Sequence, residues 1–214
     1  MTELDTRGVA TVVLDDPATR NALGLAALRD LDDTLTGLAE DPALRAVVLT
    51  GAGSVFSSGA HRTEIGDADT LALTARLLER LLVRVATLPV PVVARVNGAA
   101  FGAGLALAVA ADLSVAVDDA TFALPEVRFG LVAGPALAVC RPRLGQAALL
   151  DLFLTGRRFD AVEAVGLGLV SRAVPAAELD PTVSSVLADL LSGEAAALAA
   201  TKRAIRGGVA PLRG

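Results

Sequence analysis

The chain has 214 residues, 53% apolar and 20% charged, which suits one domain with a sizeable core and excludes wholesale disorder. A net charge of −5, a sequence pI of about 4.9 and the absence of Trp and Tyr argue against nucleic acid as a partner. One Cys and one His give neither an intrachain disulfide nor a typical zinc site, so no metal is expected.

Along the chain, Gly8 to Leu14 alternates as a strand and runs into the turn Asp15-Asp16-Pro17. Leu23, Ala26, Ala27, Leu31, Leu35 and Leu38 recur at helical spacing and predict a helix over 22–39, broken at Asp41-Pro42. A strand at 46–49 leads into the glycine-rich turn Gly51 to Ala60, and a long helix follows from Leu71 to Leu88, ended by Pro89 and Pro91. Strand Val92 to Val96 opens a second glycine-rich turn, Asn97 to Gly104, and then a buried small-residue helix from Leu105 to Ala111. Leu113–Val117 and Thr121–Leu124 read as short strands. From Pro135 onward the pattern is helical, with breaks at Gly145, Gly156 and Gly166-Leu-Gly168 and one short strand at Val170–Val174. A last helix is predicted from about Pro181 to Arg206, before a frayed tail.

Recurring strand and helix units of this kind indicate an α/β fold with short buried strands. No low-complexity linker is visible. Residues 1–180 form the expected core, and 181–214 a C-terminal helical segment. The longest apolar run, Gly98 to Ala111, is too short for a bilayer, and Met1 to Arg7 lacks the pattern of a signal peptide, so a cytoplasmic protein without a membrane partner is expected.

The two glycine turns carry the chemistry. Each follows a β-branched run, and a strand that turns through glycines into a helix leaves N–H groups without an intrahelical partner. Two such turns aimed at one oxygen make an oxyanion hole. Gly98, Gly102 and Gly104 also have a spacing used for dinucleotides, but the motif lies mid-chain and the Tyr of short-chain dehydrogenases is missing, so hydride transfer ranks low. A hydrolase would use Ser57 or Ser58 with His61. No G-x-S-x-G elbow surrounds either serine, and the preferred reading is that both hold the turn by side-chain to backbone bonds. Arg141, Arg143, Arg157 and Arg158 read as solvated charges. Glu126, after Pro125 and flanked by Leu124, Val127 and Phe129, is a surface turn carboxylate or, in apolar surroundings, a carboxyl of raised pKa suited to proton transfer.

The ordered segments Arg20-Asn-Ala-Leu23, Phe56-Ser-Ser-Gly-Ala60, Val96 to Gly104 with Ala110-Ala-Asp112, and Phe122-Ala-Leu-Pro-Glu-Val127 with Gly130 resemble the enoyl-CoA hydratase/isomerase (crotonase) family. Thr155-Gly-Arg-Arg and Ala161 to Val170 extend the likeness over nearly the whole chain. The resemblance implies a spiral of ββα units, assembled as homotrimers or dimers of trimers, acting on acyl-CoA thioesters in fatty acid metabolism. It implies no cofactor beyond the coenzyme A that the substrate carries. The N–H groups of Ala60 and Ala103 fall where the family holds the thioester oxygen, and Glu126 falls on a catalytic glutamate. Arg20, Ala22, Ser58, Gly59, His61, Arg62, Phe101, Gly102 and Gly134 are the implied substrate-binding residues.

Four departures shape the expected reaction. Ala106 stands where family hydratases have their second glutamate, His61 where an Asp is usual, and Thr63 where a Lys often meets the CoA nucleotide. The sequence given stops soon after Thr201-Lys-Arg-Ala-Ile205, where the resemblance implies further C-terminal helices, so a more open pocket is expected. A single proton carrier suffices to move a double bond along one face, whereas hydration must also activate water, so Glu126 alone favours isomerase over lyase chemistry. A non-catalytic acyl-CoA-binding homologue is the alternative. With Thr63 in place of Lys, the nucleotide end of CoA is expected to rely on Arg20 or Arg62, binding weakly and with strong salt dependence.

Overall fold

In the computed structural model, residues 3–61, 64, 66 and 68–207 are described. Strand β1 (Val9–Leu14) precedes helix α1 (Leu25–Ala39), and β2 (Ala46–Gly51) and β3 (Val55–Ser57) lead into helix α2 (Ala68–Thr87). Strands β4 (Val92–Val96) and β5 (Ala99–Phe101) lead into α3 (Ala103–Ala110), followed by β6 (Leu113–Val117) and β7 (Thr121–Ala123). Helices α4 (Gly134–Cys140) and α5 (Gln146–Thr155) come next, then β8 (Arg158–Asp160), α6 (Ala161–Gly166), β9 (Arg172–Val174), α7 (Leu179–Leu191) and α8 (Ala195–Arg206).

The chain climbs as a spiral. Strands β2, β4 and β6 are each followed by a short one, β3, β5 and β7, and the long and short strands of these pairs lie in separate sheets. The first, in the order β1-β2-β4-β6-β9, is parallel throughout; the second runs β3-β5-β7-β8, with only β8 antiparallel. Every residue of β2 is buried, as are all of β4 except Arg95, as expected of a parallel sheet covered on both faces. Helix α1 turns Leu28, Leu31, Leu35 and Leu38 inward, and α2 contributes Leu78, Leu81, Leu82 and Val85. These i, i+3 and i+4 stripes produced the helix expectation in sequence.

Several expected bounds are corrected. The helix predicted from residue 22 begins at Leu25, because Ala22 to Gly24 run extended and Leu23 pairs with Ala60 in a parallel bridge. The Glu64 carboxylate accepts the Leu25 N–H at 3.0–3.1 Å and so caps that late start. Strands β3, β5 and β8 were not expected; at three residues each they are too short for a visible period. The last helix is two helices that meet at a bend of 103°. At the break, the Gly193 N–H donates to the Leu190 carbonyl, and the Arg45 guanidinium binds the carbonyls of Leu191 and Gly193. The boundary drawn at 180/181 falls inside α7, which buries Leu179, Val183, Val186 and Leu187. The tail from 208 lies outside the described residues. No single helix among the described residues is long and apolar enough to cross a membrane.

Helix α3 has no polar face, and all eight of its residues are buried. Its C-terminal carbonyls are held by two guanidiniums. Arg143 donates to Val109 and Ala111, and Arg206 to Ala110 and Ala111. Arg143, expected as a solvated charge, is therefore a half-buried helix cap. Lys202 on α8 is likewise buried, bonding the carbonyls of Val85 and Val90 and pairing with Asp112 at 2.6 Å.

Candidate active site

Strands β3, β5 and β7 end at one edge of the small sheet, and antiparallel β8 begins there. Phe101 on β5 pairs with Ala123 on β7, which pairs with Arg158 on β8. Partners directly opposite each other share a face, so Phe101, Ala123 and Arg158 form one row. A cavity of about 490 Å³ opens at this edge, a size that suits a small-molecule ligand.

The first glycine turn forms one wall. Ser57 Oγ donates to the Asn21 carbonyl at 2.7 Å and accepts the Gly59 N–H, and Ser58 Oγ donates to the Thr19 carbonyl at 2.9 Å. Both serines therefore brace the turn. This matches the expected bracing role. Arg20 and Asn21 both have positive φ, 58° and 57°, a conformation that asparagine tolerates and arginine seldom adopts. Asn21 is buried and repays the strain: its Nδ2 donates to the carbonyls of Ala52 and Val55, and its Oδ1 accepts the Asp16 N–H. The kink sends the Arg20 side chain outward to the cavity rim.

The second turn lies against the first. Asn97 joins them, donating to the Gly53 carbonyl and accepting the Gly51 N–H. A Cβ on Gly59 would stand 2.7 Å from the Phe101 carbonyl oxygen and 3.6 Å from the Ala103 nitrogen, so the two turns touch where both donors lie. Among the described residues, neither the Ala60 N–H nor the Ala103 N–H has an acceptor. Ala103 is the first residue of α3, whose N-cap Gly102 provides no side-chain cap, so its N–H stands unpaired at the positive end of the helix; Ala103 itself is buried and is not on the cavity wall, which Gly102 lines beside it.

Glu126 faces that opening. A Cβ on Gly102 would stand 2.8 Å from Glu126 Oε1, and Gly102 has φ +49°, a conformation that only glycine adopts without strain. Glu126 Oε2 is buried with no hydrogen-bond partner. Burial raises the carboxyl above its ordinary pKa, with its own backbone N–H acting in the opposite direction. Of the two readings of Glu126, its buried, unbonded oxygen supports the raised carboxyl over the surface turn carboxylate. A carboxyl seated against Gly102 also occupies the approach that a dinucleotide phosphate would need. Glu126 is the only carboxylate on the cavity wall among the described residues.

Ala22, Ser58, Gly59, Ala60, His61 and Phe101 also line the cavity. Gly134 is a correction: it is exposed at the start of α4 and is absent from the wall, where Leu131 stands for that loop. Arg62 and Thr63 lie outside the described residues. Ala106 is fully buried in the first turns of α3, so its methyl belongs to the core. Arg128 and Arg158 were missed as wall residues. Arg158 sets its guanidinium 5.4 Å from the centre of the Phe101 ring, while Arg128 donates to the Thr155 carbonyl. The alternation of Arg158-Phe159-Asp160 after Gly156 was the one available signal, and it spans only three residues.

A family model described as enoyl-CoA hydratase/isomerase matches residues 5–212. A Thermus thermophilus relative is 41% identical over 181 residues, covering 82% of this chain and 71% of its own. The mouse enoyl-CoA hydratase domain-containing protein 3, mitochondrial, is 36% identical over 177 residues; the match covers 81% of this chain, which spans 59% of that relative's length. The crystal structure of an enoyl-CoA hydratase from Mycobacterium smegmatis superposes with a TM-score of 0.91 at 33% identity, over 94% of this chain and 80% of that one. The chain belongs to the enoyl-CoA hydratase/isomerase family.

Proposed function

We propose that this protein forms the enolate of an acyl-CoA thioester and moves a proton along the acyl chain with Glu126, shifting the double bond of an enoyl-CoA in preference to adding water. One observation carries this reading: two N–H groups without a backbone acceptor, from Ala60 and Ala103, lie in the turns against which a single carboxyl with a buried, unbonded oxygen is seated. Ionised Glu126 takes the proton from C2 of a 3-enoyl thioester, and the negative charge spreads to the thioester oxygen between the two N–H groups. Each such donor lowers the barrier by roughly 3 kcal/mol. Protonated Glu126 then returns the proton at C4, leaving the 2-enoyl product and the starting carboxylate. A carboxyl raised by burial suits both halves, because the group must hold the proton between them and then release it.

Hydration is the second reading, favoured by the names of relatives, which include an enoyl-CoA hydratase. It needs a group to activate water in addition to one that delivers a proton, and Ala106 supplies none. The test is incubation with 2-enoyl-CoA and 3-enoyl-CoA in isotopically heavy water, followed by mass spectrometry. Double-bond migration without gain of a water molecule is expected. A hydroxyacyl product as the main species would overturn the preference for isomerisation, and binding without turnover would leave an acyl-CoA binder. The assembly is proposed to be a homotrimer or dimer of trimers, which sedimentation would test.

A further inference from the structure

Arg157 and Arg158 are neighbours with opposite fates. Arg157 is held by the carboxylates of Asp151 and Glu163. Arg158 pairs with no carboxylate among the described residues. Its guanidinium rests over the Phe101 ring and faces the cavity. An arginine held on an aromatic face keeps its forked N–H edge free for a planar anion.

Its place in the sheet says where that anion would be. Across the cavity edge the order is the first turn after β3, the second turn after β5, Glu126 after β7, and Arg158 at the start of β8. Adjacent strands lie about 4.8 Å apart, so the Arg158 backbone starts roughly 10 Å from the second turn, while its side chain reaches back over the Phe101 ring on the wall of the same cavity. A substrate with its thioester oxygen between the turns and its reacting carbons at Glu126 would run its more distant carbons along this wall, past Phe101 and the Arg158 guanidinium.

We infer that Arg158 is a specificity-determining residue that recognises a carboxylate on the distal end of the acyl chain, so that the preferred substrate class is a dicarboxylic acyl thioester. This rests on the acyl-CoA reading above. A charge-assisted pair of this kind is worth about 10- to 100-fold in affinity when shielded, and the exposure of Arg158 argues for the lower end, about tenfold. The phosphates of CoA are the other anions that a guanidinium here could meet, and the probes separate the two.

Dissociation constants are measured for hex-2-enoyl-CoA, for its counterpart with a terminal carboxylate in place of the methyl, and for free CoA, with wild type, Arg158→Gln and Arg158→Lys. Wild type should prefer the carboxylated thioester about tenfold, Arg158→Gln should bring the ratio to near one, and Arg158→Lys should keep part of it. Circular dichroism of each variant shows that the fold is retained. A wild-type ratio near one, or a ratio that Arg158→Gln leaves intact, overturns the inference while the acyl-CoA reading stands. Equal weakening of both thioesters and of free CoA in Arg158→Gln reassigns the guanidinium to the CoA phosphates, and also overturns it. Failure of wild type to bind either thioester removes the acyl-CoA reading, and this inference with it.

Discussion

Gly102→Ala separates the geometry of the site from the stability of the fold. The new Cβ would stand 2.8 Å from Glu126 Oε1 and 3.4 Å from its carboxyl carbon, so the carboxylate must yield. It is the far end of a flexible side chain, so the protein should still fold. The backbone at φ 49° and ψ −117° adds strain of about 1–3 kcal/mol for any residue with a Cβ. In a domain of this size each kcal/mol lowers Tm by roughly 2–4 °C. Turnover should fall much further, because displacing a proton carrier by about 1 Å costs about 10²-fold. Gly168→Ala is the control: at φ 74° it carries backbone strain, but nothing lies within 4 Å of its Cβ and it is remote from the cavity. Calorimetry and initial rates on both variants form the assay, with a lower Tm expected in both and a large rate loss only in Gly102→Ala. Wild-type turnover in Gly102→Ala would refute the placement of Glu126 in the reaction. An equal rate loss in both would attribute the effect to stability.

Glu126→Gln should lower turnover by about 10²-fold or more. Its thermal stability should match wild type at acidic pH and exceed it increasingly as pH rises, because the raised carboxyl stabilises the fold below its unfolded pKa and loses that contribution through its folded one; a Tm difference independent of pH would contradict the burial argument. Asn21→Ala strands the carbonyls of Ala52 and Val55 and should cost about 1–3 kcal/mol in urea unfolding, so an unchanged midpoint would show that the kink holds itself. Lys202→Met removes one partner of a buried pair and should cost about 3–5 kcal/mol, toward the low end because Asp112 keeps Arg206 at 3.1 Å; a neutral result would mean that α8 docks by apolar contact alone.

Long elements were legible because their periods run for many residues. The leucine stripe of α1 and the β-branched core of β2 and β4 each identify themselves. Of the three-residue strands, β7 and β9 fall at the places read as short strands, whereas β3 and β5 sit inside the glycine turns and β8 looked helical because its apolar neighbours in α5 and α6 did. What defines β8 is pairing with β7 across the stacked rings of Phe122 and Phe159, 5.7 Å apart, a contact between residues 37 positions distant in sequence. The turns of the candidate site were visible through their glycines, and Glu126 through its proline and apolar flanks. Arg158 was not, since a guanidinium free for a ligand and one locked by Asp151 and Glu163 are spelled identically. The misplaced start of α1 has a similar cause: Ala22 and Leu23 fit the helical stripe, but bonds from Leu23 and Asn21 to the first turn outweigh one more helical turn.

A helix that is apolar on every side has no polar contact of its own to fix its register along its axis, and in α3 that register sets where the Ala103 N–H points. The polar anchors sit at the other end. Arg143 and Arg206 converge on the last carbonyls, and Arg206 also holds Asp112, which pairs with Lys202. Charge at the carbonyl end complements the helix dipole and leaves the N–H end as the unsatisfied pole. Close packing transmits the position along eight buried residues, since an interior at crystal-like density has no slack for a helix to slide. The small side chains of α3 permit that packing and also exclude a second carboxylate from its first turns. Ala106 is one of these small, fully buried residues and brings no titratable group to the first turns of α3.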